Sequence, residues 1–216
     1  MPSINTLEPV GGWIVTPVRI APVSAKEQGV FTKLFIGLTS KVSGVNPPNV
    51  FRVLMRHGRL FRYWLPFASR LMPYGTLDRR DTELAILRAG WNCRCRYEWA
   101  QHIDIGLRAG LSVADVARVA NGPTDLDWEP KEQALLLAVD ELHSHRLITD
   151  ATWSVLEMFY SQKDIMEIML LVGHYEMLAG VINSTGVELE DELRRKLEVI
   201  QLPVVERYSE EEESED

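Results

Sequence analysis

The chain is 216 residues long, with 46% apolar and 25% charged side chains, enough for one well-buried core. Its net charge of −8 is concentrated between Glu206 and Asp216, which contribute −6, so the body is nearly neutral and a basic nucleic-acid footprint is excluded. With only Cys93 and Cys95, a disulfide framework is excluded, and a reducing cytoplasm is the expected compartment.

Residues 1–24 carry Pro2, Pro9, Gly11, Gly12, Pro17 and Pro22 and predict an extended arm, packed over its own domain or a neighbouring subunit. Met1 to Val23 lacks the basic, apolar and small-residue regions of a secretory signal. The apolar positions Val30, Phe31, Leu34, Phe35 and Leu38 predict a helix over 26–39. Pro47-Pro48-Asn49 starts a second helical stretch toward Met72, which Pro66 should kink or divide, with Arg56-His57-Gly58 as another break.

Downstream, Asp78-Arg-Arg-Asp81, Ser112-Val-Ala-Asp115 and Ser161-Gln-Lys-Asp164 have the spacing of capping boxes. Pro130 suits the first turn of a helix running through Leu142, and Gly110 and Gly122 read as stops. The segment from Asp164 to Asn183 is apolar nearly all round, as expected of a helix central to a core or shared between subunits. It is interrupted by polar residues, and no run of apolar residues is long enough for a spanning helix, so no membrane partner is expected. The overall expectation is an all-α protein of about eight or nine helices: an arm at 1–24, one helical domain at 25–202, and an acidic disordered tail at 203–216.

The chemistry is gathered between Glu83 and His102. On a continuous helix, Cys95, Glu98 and His102 stand at roughly 0°, 300° and 340°, with Trp99 at about 40°. Two readings fit this spacing. In one, Glu98 is a proton donor kept protonated near neutral pH because the aromatic beside it raises its pKa, His102 relays protons, and Cys95 is an accessory thiol. In the other, Glu98 and His102 form an ordinary helical pair and Cys95 fills a small niche. Cys93 reads as packing. A zinc site is not expected, because Cys-x-Cys with one histidine lacks the spacing and the fourth ligand. His57, His143 and His145 read as surface or satisfied side chains, whereas His174 is a polar group inside an apolar helix and a candidate for lining the site.

Arg80-Asp-Thr-Glu83-Leu-Ala-Ile-Leu-Arg88, Tyr97-Glu98-Trp99-Ala-Gln-His102 and Ala109-Gly-Leu-Ser112 together resemble the carboxymuconolactone decarboxylase-like family, which includes the alkylhydroperoxidase-D group. Asp140-Glu141-Leu-His143, and Val172-Gly-His174-Tyr175 through Asn183-Ser-Thr-Gly-Val187, extend the resemblance over roughly residues 49–189. It implies a single-domain all-α fold that assembles as a homo-oligomer (dimer, trimer or hexamer), with the active-site helix often near a subunit interface. Peroxidase members of the family place a glutamate ahead of Cys-x-x-Cys-x-x-x-His. Glu83, Cys95 and His102 match that motif, but Glu98 stands where the second cysteine should be.

The resulting expectation is a cofactor-independent and metal-free enzyme using acid/base chemistry, such as decarboxylation, hydration or isomerisation, on a small carboxylated or cyclic molecule. The catalytic candidates are Glu98, His102, Glu83 and Cys95, with Glu83 orienting His102. Trp99, Tyr97 and His174 are candidates for substrate binding, and Arg88 or Arg62 for holding a carboxylate. The alternatives are a thiol antioxidant of the alkylhydroperoxidase or peroxiredoxin type using Cys95, and a non-catalytic oligomeric binding protein.

Overall fold

The computed structural model describes residues 3–24, 27 and 48–201. The helix expected at 26–39 and the acidic tail lie outside the described residues. Nine α-helices fall within them: α1 Asn49–Leu54, α2 Gly58–Leu71, α3 Arg79–Asn92, α4 Arg96–Arg108, α5 Val113–Asn121, α6 Pro130–His145, α7 Asp150–Leu156, α8 Gln162–Thr185 and α9 Asp191–Val199. Among the described residues there is no strand, and one antiparallel bridge joins Ser3 to Gln201.

The helix starts follow their side chains. Asp78 accepts from the Arg80 amide at 2.8 Å to cap α3, and Ser112 and Ser161 each complete a capping box with an aspartate three residues on. Pro130 occupies the first turn of α6, which runs on to His145 rather than stopping at Leu142. Gly122 ends α5 at φ 93°, a conformation that favours glycine. Pro66 does not divide the second stretch. The division falls earlier, at a 3₁₀ turn over Met55–His57, and His57 Nδ1 accepts from the Leu60 amide to start α2. Pro66 is accommodated inside α2.

The central element is α3. Leu84, Ala85, Ile86, Leu87, Ala89 and Gly90 are all buried, enclosed by α4, α5, α6 and α8. The apolar α8, expected to be central to a core or shared between subunits, packs against α3 from one side. One side of α8 is in the core through Ile165, Ile168, Leu171 and Val172, while Met166, Leu170 and Met177 are exposed. The helix is 24 residues long and its most apolar 18-residue window has a mean hydropathy of 1.6, which meets the length and composition of a spanning helix, yet half of that window is buried within the domain.

The polar groups that α3 brings inside are paired. Asp81 meets Lys131 at 2.6 Å and accepts from Tyr160 at 3.1 Å, Arg80 bridges Asp115 and Glu132, and Arg88 grips Asp140 through two hydrogen bonds of 2.6 and 2.7 Å. Arg88 is therefore committed to the scaffold.

Between α3 and α4 the chain makes a sharp break. Cys93 closes α3, Arg94 takes a left-handed φ of 52°, and Cys95 is extended at the start of α4. The arm holds this break. The Arg94 carbonyl accepts from Ile14 at 3.0 Å, and its guanidinium donates to the carbonyls of Gly11 and Gly12. Trp13 packs against Trp91 and Trp99, with ring centroids 5.4 and 6.0 Å away. Ile4 is buried in the core. Truncating Trp13→Ala should cost about 2 kcal/mol of stability in chemical denaturation, because a half-buried aromatic anchor is lost; an unchanged midpoint would show that the arm lies outside the cooperative unit.

Candidate functional site

An apolar cavity of about 280 Å³ opens between α1, α2, α4 and α8. Val50 and Phe51 come from α1, Trp64, Leu65 and Ala68 from α2, Glu98, Gln101 and His102 from α4, and His174, Tyr175 and Leu178 from α8. Among the described residues no lysine or arginine lines it. Arg62 is absent from its wall and donates to the Gly58 carbonyl instead.

Two glycines set α4 close to α3. A Cβ on Gly90 would lie 3.4 Å from the Glu98 Cβ, and one on Gly106 would lie 3.6 Å from the Glu83 Cβ. At this approach Glu83, fully buried on α3, reaches His102 on α4, with Oε2 to Nδ1 at 2.6 Å. Arg79, one turn earlier, donates to the other carboxylate oxygen at 2.9 Å. With Glu83 acting as a carboxylate acceptor, the ring proton is assigned to Nδ1, and Nε2 is left as the basic nitrogen. Tyr175 meets the imidazole edge-on at 5.1 Å.

Glu98 is in the opposite condition. Its side chain is buried and neither carboxyl oxygen has a hydrogen-bond partner. Burial therefore pushes its pKa well above the ordinary carboxylate value, with the neighbouring Cys95 thiol acting in the opposite sense, so the neutral acid is favoured. His174 stacks on Trp64 with centroids 5.6 Å apart, and its Nδ1 is buried without a partner. Burial lowers its pKa from 6.5 to about 4, so it too is neutral.

The segment that carries this site has relatives. Residues 58–141 match the Carboxymuconolactone decarboxylase family, over a shorter span than the motif resemblance. The fold is shared with an alkylhydroperoxidase AhpD core, an uncharacterized peroxidase-related protein from Ralstonia eutropha JMP134, at 17% identity and a TM-score of 0.73, covering 86% of this chain and 100% of that one. A peroxidase-related protein from Silicibacter sp. TM1040 gives 14% identity and a TM-score of 0.73 over 87% and 98% of the two chains. The debrominase Bmp8 in complex with 2,3,4-tribromopyrrole gives 14% and 0.70 over 87% and 100%. No curated protein matches the sequence. Glu83, Glu98 and His102 lie inside the family segment, while His174 and Tyr175 are supplied from beyond it.

The other candidates from sequence fall in different places. Cys95 is not on the helical face but caps α4 in extended conformation, fully buried. Burial above all pushes its thiol pKa well up, and no cationic side chain is seen to oppose this. Glu98 and His102 are not an i,i+4 pair, since His102 is bound to Glu83 instead. Trp99 does not line the cavity; about 100° around the helix from Glu98, it packs on Trp91 at 4.8 Å. The aromatic surroundings of the cavity come instead from Phe51, Trp64 and Tyr175.

Tyr97 lines the cavity with its ring, but its hydroxyl donates to Glu190 at 2.8 Å and accepts from Val50 and Gln101. Trp64 and Tyr175 were not anticipated. Trp64 belongs to an apolar series at 61, 64, 65, 68 and 72 whose period marks a buried face without telling core from cavity.

The depressed pKa of His174 has a stability consequence. The unfolded state takes up a proton below its ordinary 6.5 and the folded state only near 4, so stability present above pH 6.5 falls progressively toward pH 4. His174→Gln should flatten the loss across that window by an amount on the order of 3 kcal/mol, measured by denaturation at stepped pH.

Proposed function

We propose that the protein is an enzyme that moves protons, without a cofactor, on a small, uncharged cyclic molecule held in the cavity. The observation that carries this reading is the pairing within one apolar space of a neutral carboxylic acid, Glu98, with a histidine whose Nδ1 is tied to a carboxylate. Such environments push the two groups toward opposite roles. In an isomerisation, His102 Nε2 takes a proton from carbon beside an electron-withdrawing group while Glu98 delivers one to the far end of the conjugated system. The resulting imidazolium and carboxylate then exchange a proton to reset. In a hydration His102 takes the proton of the attacking water and Glu98 supplies one to the developing enolate. Glu83, itself held by Arg79, fixes the imidazole and stabilises its charged form.

The cavity volume of about 280 Å³ supports one or two rings, since roughly 150 Å³ suffices for benzene. Among the described residues no arginine or lysine lines the cavity, which favours an uncharged substrate over a carboxylate. A neighbour of the same fold holds a brominated pyrrole, in keeping with a ring-shaped ligand. The alternative of a thiol peroxidase on Cys95 meets two obstacles, a buried sulfur without an activating cation and Glu98 at the position of the second thiol. A purely structural binding role leaves Glu98 without a reason to be buried and unpartnered.

Glu98→Gln should lower turnover about 100-fold or more, with circular dichroism unchanged. Because Glu98 is held neutral, folding takes up a proton above pH 4.5, and wild-type stability declines as pH rises. The glutamine variant should therefore be at least as stable at pH 8, and unchanged turnover would remove Glu98 from the mechanism.

We also propose a homo-oligomer. The exposed Met166, Leu170 and Met177 on α8 lie on one face with Gly173 and Gly180, an apolar strip suited to a second copy. Light scattering on the full chain should give a multiple of the 24.6 kDa subunit mass, and a monomer would overturn this part.

A further inference from the structure

Behind the cavity, a second cluster of chemically active side chains converges from three helices. Cys93 ends α3, His143 lies in the last turn of α6, and Glu176 projects from the middle of α8. The Cys93 Sγ is 4.0 Å from His143 Nδ1, and that same nitrogen is 2.8 Å from Glu176 Oε1. All three donor atoms lie within 4.8 Å of one another, and each residue is half-buried, so an ion could reach them.

The convergence on one imidazole nitrogen argues against a nucleophilic triad, which would use opposite nitrogens of the ring. It suits a shared centre. The second Glu176 oxygen, Oε2, is held by Arg146, so Oε1 is fixed toward the histidine and the thiol. Arg146 reaches it from a left-handed position at φ 62° that closes α6.

We propose that Cys93, His143 and Glu176 form a binding site for a divalent zinc-like ion. The donor set of one thiolate, one imidazole and one carboxylate is that of a borderline-soft metal, and its charge of −2 balances a dication. At a tetrahedral angle, zinc would place its donors about 3.3–3.6 Å apart. The present separations of 4.0 and 2.8 Å lie on either side of that range and the third pair is within 4.8 Å, so shifts of about 1 Å would bring the three donors to it. On binding, the thiol proton leaves to solvent, and the imidazole proton moves from Nδ1 to the opposite nitrogen. A fourth position stays open to water. The ion would join α3, α6 and α8 beside the break that positions α4. Sequence spacing could not show this, because the ligands are 50 and 33 residues apart.

Cobalt(II) titrated into the full-length chain tests the site. The expected result is a thiolate charge-transfer band saturating at one equivalent, displaced by zinc, lost in Cys93→Ser and kept in Cys95→Ser. His143→Ala should weaken cobalt binding by about tenfold or more. Zinc should also raise the melting temperature of the wild type and leave that of Cys93→Ser unmoved. The proposal is overturned by the lack of a thiolate band, by a band that follows Cys95 instead, or by an unmoved wild-type melting temperature.

Discussion

The close approach of α4 to α3 is the constraint on which the site rests. Gly90 faces the Glu98 end of the crossing and Gly106 the Glu83 end, where even a Cβ would already touch the facing glutamate, which leaves no room for a larger side chain at this spacing. Only at this spacing can a buried glutamate on one helix bond a histidine on the other at 2.6 Å. That bond in turn requires Arg79 on the far oxygen, since a buried carboxylate needs both charge and hydrogen-bond compensation. The arm completes the arrangement by holding Arg94 in its left-handed turn, which ends α3 and restarts the chain as α4.

The interior follows one rule with one marked exception. Asp81, Glu83 and Asp115 are buried and each meets a cation, and Asp140 meets Arg88. Glu98 is as buried as these and meets none. A buried carboxyl left without a cation is driven toward its neutral form. Its neighbours in the cavity reinforce the effect: His174 is kept uncharged by burial, and no lysine or arginine lines the wall among the described residues.

Helix starts were legible because capping is local. Asp78, Ser112 and Ser161 sit where their amide partners are two or three residues away. The identities of Glu83, Glu98 and His102 were legible for the same reason, being clustered in one stretch and in a recognisable pattern. Misreadings arose wherever distance in space replaced distance in sequence. Extending α4 back through Cys95 put the thiol on the helical face and drew Trp99 toward the site. The reading of Glu98 and His102 as an i,i+4 pair fails in the same way, whereas Glu83, expected to orient His102, does meet it at 2.6 Å across the two helices. The apolar strip of α8 was legible, but its division into a core side and an exposed side depends on where α3 lies.

The sequence by itself determined an all-α chain, its caps and breaks, and a stretch in which acid, base and thiol are gathered, because helical period and capping act over a few residues. The tertiary structure decided which of those groups meet. Helix crossing gave His102 its carboxylate and left Glu98 without a partner. It also closed the cavity with Trp64, His174 and Tyr175, and brought Cys93, His143 and Glu176 together from three helices. These pairings depend on contacts between residues tens of positions apart, which local pattern does not encode.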